Sequence, residues 1–270
     1  MITQQRLPLS VCMIAGNEAH RIRRALDSIS GWASEIIVVI NDDVGDGTDR
    51  IAASSGAKVF REPWKGYVAQ KNSAAQKAAA AWIFALDADE EVTPALREEI
   101  AAMLRNPESG RFYAAFEFPR CSYYCGRWIR HGDWYPDRVT RLWRKGAATY
   151  VGHEIHERLD VRGKIGRLHS DLLHFSNESI NWQLEKIGRY SDLFVRHCLA
   201  MDRKATWLDL AVRPFWKFLR AYFFRLGFLD GWPGYYIAWL GAFSTVTRYA
   251  KVCEAGLKPV TTPTPAKLNQ

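Results

Sequence analysis

Cysteine is scarce in this sequence and poorly arranged for cross-linking. The chain has five cysteines in 270 residues. The two that lie close together, Cys121 and Cys125, have no second pair with which to complete a zinc site. Small secreted domains that depend on disulfides carry cysteine at much higher density. The sequence therefore excludes a disulfide scaffold, and we expect a reducing compartment in which the cysteines are structural.

Long uninterrupted apolar segments are also missing. The N-terminal stretch MITQQRLPLSVCMIAGNEA has no basic segment followed by a long apolar run, so we expect no secretory signal peptide there. Near the other end, the longest span without Lys or Arg, residues 226–247, contains Asp230, Pro233 and several glycines. Such a segment is a poor membrane-spanning helix.

Acidic residues are outnumbered by basic ones. The chain has 37 Lys and Arg against 29 Asp and Glu, a net charge of +8, and its pI is about 9.3. This excess favours an anionic partner, which can be nucleic acid, a phosphate-bearing substrate or a membrane surface. The composition, 48% hydrophobic and 24% charged, is that of a folded protein. The length suits one large domain, or one domain with an extension.

Strand-like and helix-like segments alternate over residues 7–105. Apolar runs predict strands at 9–15, 35–40, 57–60 and 82–86, with helices at 18–29, 49–54 and 70–81 between them. Thr93 followed by Pro94 indicates the start of a fourth helix, which runs to Leu104. The run EIIVVI at 35–40 is typical of a strand covered on both faces. The alternation predicts an α/β fold with a parallel, doubly wound sheet.

Four carboxylates follow the last of these strands, in the stretch IFALDADEE at 83–91. Adjacent carboxylates are costly to desolvate, so the cluster favours either water or a cation. Asp87 and Asp89 can present oxygens to one Mg²⁺ or Mn²⁺ whose other ligands come from substrate phosphates. A solvated turn explains them as well on this pattern alone. Glu90 and Glu91 are interpreted as acidic residues that favour the start of the next helix.

Polar residues follow the other predicted strands as well. Asn41-Asp42-Asp43 can accept hydrogen bonds from a base or a ribose, and Gly16 allows close approach of a ligand. Lys71, at the start of the third helix, can meet a pyrophosphate. Each residue alone has an ordinary explanation as a turn, a cap or a solvated face. Because ligands of such sheets bind beyond the carboxyl ends of the strands, the loops together predict a nucleotide-plus-metal site.

The order and spacing of these segments resemble the family-2 glycosyltransferases, which have the GT-A fold. The resemblance rests on SVCMIAGNEAHRIRRALDSI, EIIVVINDDVGDGTDRIA, GAKVF and GYVAQKNSAAQKAAAAWIFALDADEEV, over about residues 8–105. The later segments GRWIRHGDWYPDRVTRLWRKG, HEIHERL and RLGFLDGWPGYYIA resemble a narrower group, the bacterial lipopolysaccharide core β-1,4-glucosyltransferases. The implied fold is a Rossmann-like, doubly wound and mostly parallel sheet with a helical C-terminal extension.

The resemblance implies a UDP-sugar donor and Mg²⁺ or Mn²⁺ as cofactor. By position, the donor contacts are expected at Ile14, Ala15, Asn17, Glu18, Asn41, Asp42, Gln70, Lys71, Asn72, Asp87 and Ala88. Asp89 matches the metal-coordinating position of the family's Asp-x-Asp motif. Asn41 stands where the second loop often begins with Asp, and this departure bears on the nucleotide preference.

The reaction implied by the resemblance is an inverting displacement, in which a carboxylate deprotonates the acceptor hydroxyl. Glu157 is the first candidate for this base, because the His-Glu pair recurs at this position in relatives. Glu154 and Asp133 are the other candidates. An ion-pair network with Arg158 or Arg162 is the alternative role for Glu157. The Trp and Tyr residues of 123–143 offer faces for stacking sugar rings, or for core packing.

The C-terminal region is both basic and aromatic. Between Arg196 and Lys258 there are ten Lys and Arg against four Asp and Glu, with aromatic residues interleaved. The pattern predicts an amphipathic segment lying on an anionic membrane surface, and a helical lid on the protein's own core is the alternative. No nucleic-acid motif accompanies it, so we expect no nucleic-acid partner.

These observations predict a transferase domain at 1–177, with a nucleotide-sugar half at 7–105 and an acceptor half at 106–177. A helical membrane-surface region at 178–258 and a disordered tail at 259–270 are expected to follow. The expected activity moves a hexose, glucose from UDP-glucose, to a lipopolysaccharide core or related glycolipid at the cytoplasmic face of the bacterial inner membrane. The alternatives are another nucleotide sugar with a polyprenyl-linked or other cell-envelope acceptor, and a catalytically dead binding or scaffold protein.

Overall fold

The computed structural model describes residues 6–152, 157–176 and 179–257. It divides into two compact units. The first, which we call the transferase unit, comprises Met1–Trp128 and Tyr135–Ser176. The second, the helical unit, comprises Ile129–Trp134 and Asn177–Gln270. The segment at 129–134 therefore belongs to the helical unit, although the sequence places it in the acceptor half of the transferase domain.

The transferase unit begins with alternating strands and helices. The strands are β1 (Leu7–Ala15), β2 (Ala33–Asn41), β3 (Lys58–Glu62) and β4 (Trp82–Ala85). The helices are α1 (Ile22–Ile29), α2 (Thr48–Ser54), α3 (Tyr67–Gln76), α4 (Pro94–Arg105) and α5 (Pro107–Phe112). The four strands are parallel, in the order β3-β2-β1-β4. Thr93 caps α4 as predicted, because its hydroxyl accepts a hydrogen bond from the Leu96 N–H at 3.1 Å.

Six further strands extend this sheet beyond β4. They are β5 (Glu90–Val92), β6 (Ala115–Tyr124), β7 (Arg127–Ile129), β8 (Asp137–Arg144), β11 (Ile165–Arg167) and β12 (Leu172–His174). The order is β3-β2-β1-β4-β8-β6-β12-β5, with β7 and β11 also paired to β6. The pairs β4–β8, β8–β6 and β12–β5 are antiparallel. Two further strands, β9 (Ala148–Val151) and β10 (Arg158–Val161), form a separate antiparallel pair. The predicted α/β class is confirmed.

Apolar side chains are buried on both faces of the sheet. On β2, Ile36, Val38 and Ile40 belong to one core cluster, together with α1 and α4. The alternate residues Ile37 and Val39 belong to the opposite cluster, under α3. Successive strand residues point to opposite faces, so only a continuous apolar run can fill both cores. Each fully buried aliphatic side chain stabilises the fold by about 1.5–3 kcal/mol.

The helical unit contains three long helices, α6 (Ile180–Ala200), α7 (Trp207–Leu219) and α8 (Gly231–Ala255). Ser179 caps α6, and Thr206 with Asp209 forms a capping box at the start of α7. The buried Asp230 accepts hydrogen bonds from the N–H groups of Arg130 and His131, at 3.0 and 2.8 Å. This contact fixes the segment at 129–134 to the helical unit.

Aromatic and aliphatic side chains remain exposed on α7, on α8 and on the short helical segment Arg220–Phe224 that follows α7. On α8 they recur at helical spacing as Trp232, Tyr235, Trp239 and Phe243. On α7 and on the segment Arg220–Phe224 they are Trp207, Leu208, Val212, Phe215, Trp216, Phe223 and Phe224. We call these residues the aromatic face. Within the described part of the chain, every helix is too short or too polar to cross a bilayer.

Candidate active site

The carboxyl ends of β1, β2 and β4 bring the predicted donor loops to one edge of the sheet. Asn17, after β1, accepts a hydrogen bond through Oδ1 from the Gly45 N–H at 3.3 Å, so the first two loops are joined. Asp42 is exposed, and its N–H donates to the Glu62 carbonyl at 3.0 Å. The neighbouring Asn41 is half-buried at the end of β2. The Asp42 carboxylate is therefore open to a ligand, while its backbone is held by β3.

Ala15, at the end of β1, and Glu18, in the loop that follows, support this edge. Ala15 is buried in the core, and the Glu18 N–H donates to the Thr48 hydroxyl at 2.8 Å. The Glu18 carboxylate is paired with the Arg21 guanidinium. Ala15 therefore has no polar side chain to offer a ligand, and the Glu18 carboxylate is already paired within the protein.

Lys71 connects two of the predicted functional carboxylates. Its Nζ lies 2.6 Å from Glu157 Oε1 and 3.5 Å from Asp87 Oδ1. Burial alone would lower the pKa of Lys71, but the negative charges of Asp87 and Glu157 raise it above the ordinary value. Lys71 is therefore a fixed cation that draws together side chains distant in the sequence. A small cavity lined by Ile14, Lys71 and Asp87, among others, adjoins this group.

Asp87 is held by a second cation that the sequence did not single out. Arg141 Nη2, from β8, lies 2.5 Å from Asp87 Oδ2. Burial raises the pKa of Asp87, but Arg141 and Lys71 outweigh it and hold this pKa below the ordinary range. The carboxylate thus stays ionised in a site where two cations balance it.

Two other residues of α3 differ in their environment. Asn72 is fully engaged by β9, since its Nδ2 donates to the Tyr150 carbonyl and its Oδ1 accepts from the Tyr150 N–H, both at 2.9 Å. Gln70 is completely buried, and within the described residues neither atom of its amide has a hydrogen-bond partner. Asn72 therefore positions β9, whereas the Gln70 amide keeps its hydrogen-bonding capacity.

The interpretation of Glu90 and Glu91 as a helix start is wrong. Both residues lie in β5, and Glu90 has no exposed side-chain surface. Glu90 Oε2 accepts a hydrogen bond from the Asp87 N–H at 3.0 Å. Its Oε1 lies 3.4 Å from Arg120 and 3.5 Å from Arg141. Glu90 therefore fixes the backbone of the Asp87-Ala88-Asp89 loop, in which Ala88 is buried in the core.

Asp89 lies beside a histidine that the sequence did not predict. His174 Nε2, on β12, is 3.5 Å from Asp89 Oδ2, and its Nδ1 lies 3.1 Å from the Ser122 hydroxyl. Arg21 Nη1 is also 3.5 Å from Asp89 Oδ2. A carboxylate oxygen and an imidazole nitrogen fit a divalent ion that takes its remaining ligands from phosphate and water. In the part of the chain that the structure describes, no three His, Cys, Asp or Glu side chains are grouped for metal binding.

The three candidate bases have different surroundings. Glu157 lies in the transferase unit, and its buried Oε2 has no hydrogen-bond partner among the described residues. Asp133 lies instead in the helical unit, within 2.9–3.3 Å of Lys217, Arg220 and Arg225. Burial raises the pKa of Asp133, but these cations lower it below the ordinary value, so this carboxylate is a weak base in an ion-pair cluster. Glu154 lies outside the described residues.

The strand order and the polar strand ends are those of a nucleotide-binding α/β domain. The sequence model described as "Glycosyl transferase family 2" matches residues 10–159. This match covers more than half of the chain. The chain therefore belongs to glycosyl transferase family 2, and it is a glycosyltransferase of the GT-A type.

Similar proteins are known over almost the whole length. An uncharacterized glycosyltransferase, RP128, of Rickettsia prowazekii is 31% identical over 93% of this chain and 88% of its own. The lipopolysaccharide core biosynthesis glycosyltransferase LpsC of Rhizobium meliloti is 28% identical over 91% of this chain and 94% of its own. Among solved structures, TarS 1–349 of S. aureus in complex with UDP-GlcNAc has 13% identity and a TM-score of 0.47, over 92% of this chain and 91% of its own.

Proposed function

We propose that this chain is an inverting hexosyltransferase that uses a UDP-sugar, with UDP-glucose as the expected donor. The observation that carries the proposal is the convergence of Lys71, Asp87 and Glu157 beside the Asp89–His174 pair. This arrangement offers a cation for the donor diphosphate, ionised carboxylates for sugar hydroxyls, and oxygen and nitrogen ligands for a metal. Asp42 is expected to accept from the base or the ribose, because its carboxylate is exposed beyond β2.

Glu157 is proposed as the general base. One of its oxygens is held by Lys71, while the buried Oε2 has no donor among the described residues. Such an oxygen can accept the proton of an acceptor hydroxyl, which then attacks the anomeric carbon from the face opposite the UDP leaving group. Lys71 fixes the orientation of the carboxylate during this step. Bound Mg²⁺ or Mn²⁺, held by Asp89 and His174, would offset the negative charge on the diphosphate.

The proposed acceptor is a lipopolysaccharide core or a related glycolipid on the cytoplasmic face of the inner membrane. Support comes from the similarity to LpsC over most of both chains, and from the aromatic face of the helical unit. Trp232 and Phe215, for example, are 61% and 65% exposed. Apolar patches of this kind mark interaction sites, and aromatic side chains suit the boundary between headgroups and acyl chains. The excess of basic residues favours anionic lipids.

The donor assignment can be tested by thermal stabilisation with a panel of nucleotide sugars, each with and without Mn²⁺. We expect UDP-sugars to raise the melting temperature, and Mn²⁺ to increase the shift. Asp89→Asn should remove the effect of Mn²⁺, whereas the exposed Asp160→Asn should behave as the unmodified protein. If every UDP-sugar leaves the melting temperature unchanged, the donor assignment is wrong.

The membrane assignment requires a separate experiment. We expect the full chain to co-sediment with vesicles that contain anionic phospholipid, and Trp232→Ala to weaken this binding. Phe112→Ala is the matched control, because Phe112 is also 61% exposed but lies on the transferase unit. If the two variants bind vesicles equally well, or if the full chain does not bind them at low salt, the proposed membrane binding is wrong.

A further inference from the structure

An open groove lies between the first half of α1 and the segment that leads from β5 into α4. Its volume is about 610 Å³. The basic side chains that line it are His20, Arg21, Arg23, Arg24 and Arg97, and the acidic ones are Asp27 and Glu91. Arg21 is already paired with Glu18. The other three arginines outnumber the two carboxylates, so the lining remains positively charged even when His20 is neutral. A concave surface of this charge attracts an anionic ligand.

One end of the groove adjoins the proposed metal site. Arg21, which lines the groove, lies with its Nη1 3.5 Å from Asp89 Oδ2. On the same side, the Phe175 N–H donates to the Asp89 carbonyl at 2.8 Å. A ligand in the groove can therefore extend from the reaction site along α1.

An aromatic ring, and not a carboxylate, holds the Arg24 side chain in place. Its guanidinium carbon lies 3.7 Å from the centroid of the Phe175 ring. Stacking occupies the flat face of a guanidinium and leaves its N–H groups, which point outwards in the plane, able to donate. Arg24 and Arg23 are both exposed, and neither forms an ion pair with any residue that the structure describes.

Phe175 also belongs to a small aromatic cluster. Its ring packs 5.0 Å from that of Trp128 and 6.2 Å from that of Tyr123, measured between centroids. Tyr123 is 37% exposed, so the cluster reaches the surface of the transferase unit. Aromatic faces beside charge-assisted donors are a combination suited to a sugar that carries an anionic group.

We propose that this groove binds an anionic sugar of the acceptor, whose phosphate or carboxylate pairs with Arg23 and Arg24. The identity of the ligand as the acceptor rests on the proposed transferase function. The donor diphosphate is the less suitable occupant, because Lys71 lies on α3, which packs on the face of the sheet opposite α1. The groove would select acceptors by charge, while the loops after β1, β2 and β4 hold the donor.

The test measures binding to the full chain saturated with UDP and Mn²⁺, so that the donor site is occupied. Isothermal titration would use three probes: chitobiose, chitobiose bisphosphate and a disaccharide that contains glucuronic acid. We expect at least one anionic probe to bind ten times more tightly than chitobiose. Binding by the bisphosphate alone or by the glucuronide alone identifies the anion as phosphate or carboxylate, and supports the proposal in either case.

Variants show whether the groove is responsible. Arg23→Gln and Arg24→Gln should each raise the dissociation constant of the anionic probe about tenfold, as expected for the loss of one charge-assisted hydrogen bond. Arg105→Gln is the matched control, since Arg105 is an exposed arginine on α4 outside the groove. The proposal is overturned if no probe shows a preference for negative charge, or if Arg105→Gln weakens binding as much as Arg23→Gln and Arg24→Gln do. Binding of UDP alone, measured separately, tests the donor assignment independently.

Discussion

Replacing Glu90 with glutamine removes a negative charge from a position that has no access to solvent. The carboxylate faces Arg120 at 3.4 Å and Arg141 at 3.5 Å, and it accepts the Asp87 N–H. At these distances each pair gains about 4–5 kcal/mol of gross Coulomb energy at an effective dielectric constant near 20. Desolvation offsets most of this gain, but leaving a buried charge without its partner costs about 3–5 kcal/mol. In Glu90→Gln, Arg120 keeps Asp137 and Arg141 keeps Asp87, so neither arginine is left alone. Because glutamine can also still accept the Asp87 N–H, we expect a loss no larger than the lower value, about 3 kcal/mol.

The assay is urea denaturation at neutral pH, followed by circular dichroism. Glu91→Gln provides the matched control, because Glu91 is the next residue in the same strand, undergoes the same chemical change and forms no ion pair with any described residue. Its effect should stay within about 0.5 kcal/mol, as for surface substitutions in general. If Glu90→Gln costs no more than Glu91→Gln, the buried ion-pair network does not stabilise the loop of Asp87 and Asp89.

Three further predictions concern other parts of the chain. Hydrogen bonds from Lys65, Lys77 and Ser73 lower the pKa of Glu62 from 4.5 to about 2. Its contribution to stability, at most about 3 kcal/mol, is therefore present above pH 4.5 and lost as the pH falls towards 2. Glu62→Gln should thus destabilise the protein at pH 7, and by less than half as much at pH 3. Gly234→Ala should destabilise the helical unit by more than about 2 kcal/mol in thermal unfolding, because its Cβ would lie 2.0 Å from the Gly227 carbonyl oxygen. Glu157→Gln should reduce transfer at least about 100-fold in a radiolabelled-sugar assay, with UDP-sugar binding unchanged.

The first two of these predictions have a control within the chain. Glu98→Gln, on the exposed side of α4, should show no dependence on pH beyond that of the unmodified protein. Gly188→Ala places a Cβ in open space within α6, so it should be neutral or stabilising. A Glu62→Gln penalty that is equal at both pH values, a harmless Gly234→Ala, or full turnover by Glu157→Gln would each refute the corresponding argument.

Sequence reasoning succeeded where one local pattern determines the structure. The β-branched, apolar run at 36–40 is typical of a strand buried on both faces, and the structure has β2 there. Thr93 and Pro94 likewise mark the start of α4, as its N-cap and its first residue. In the transferase unit, the alternation of such segments was enough to indicate the parallel half of the sheet.

Residues that act through distant partners could not be recognised in the same way. Two glutamates before Thr93-Pro94 look like the acidic start of a helix, and nothing nearby shows that Glu90 faces Arg120 and Arg141. Those partners lie 30 and 51 residues away in the chain. His174 is an isolated histidine in the sequence, and only the position of β12 in the sheet brings it to Asp89. The antiparallel strands β6 and β8 carry so many Arg and aromatic residues that their alternation is obscured.

The pairing of β5 with β12 has a consequence for the order in which the protein can assemble. Among the strands that the structure describes, β5 pairs only with β12, with Glu90 opposite His174. The loop that carries Asp89 therefore gains its support from a strand translated some 80 residues later, beyond the end of the segment shared across the family. Long-range pairing of this kind raises contact order and slows folding. A nascent chain that has formed only β1 to β4 lacks both His174 and the strand that pairs with β5. We therefore expect the proposed metal site to take shape only after β12 has emerged from the ribosome.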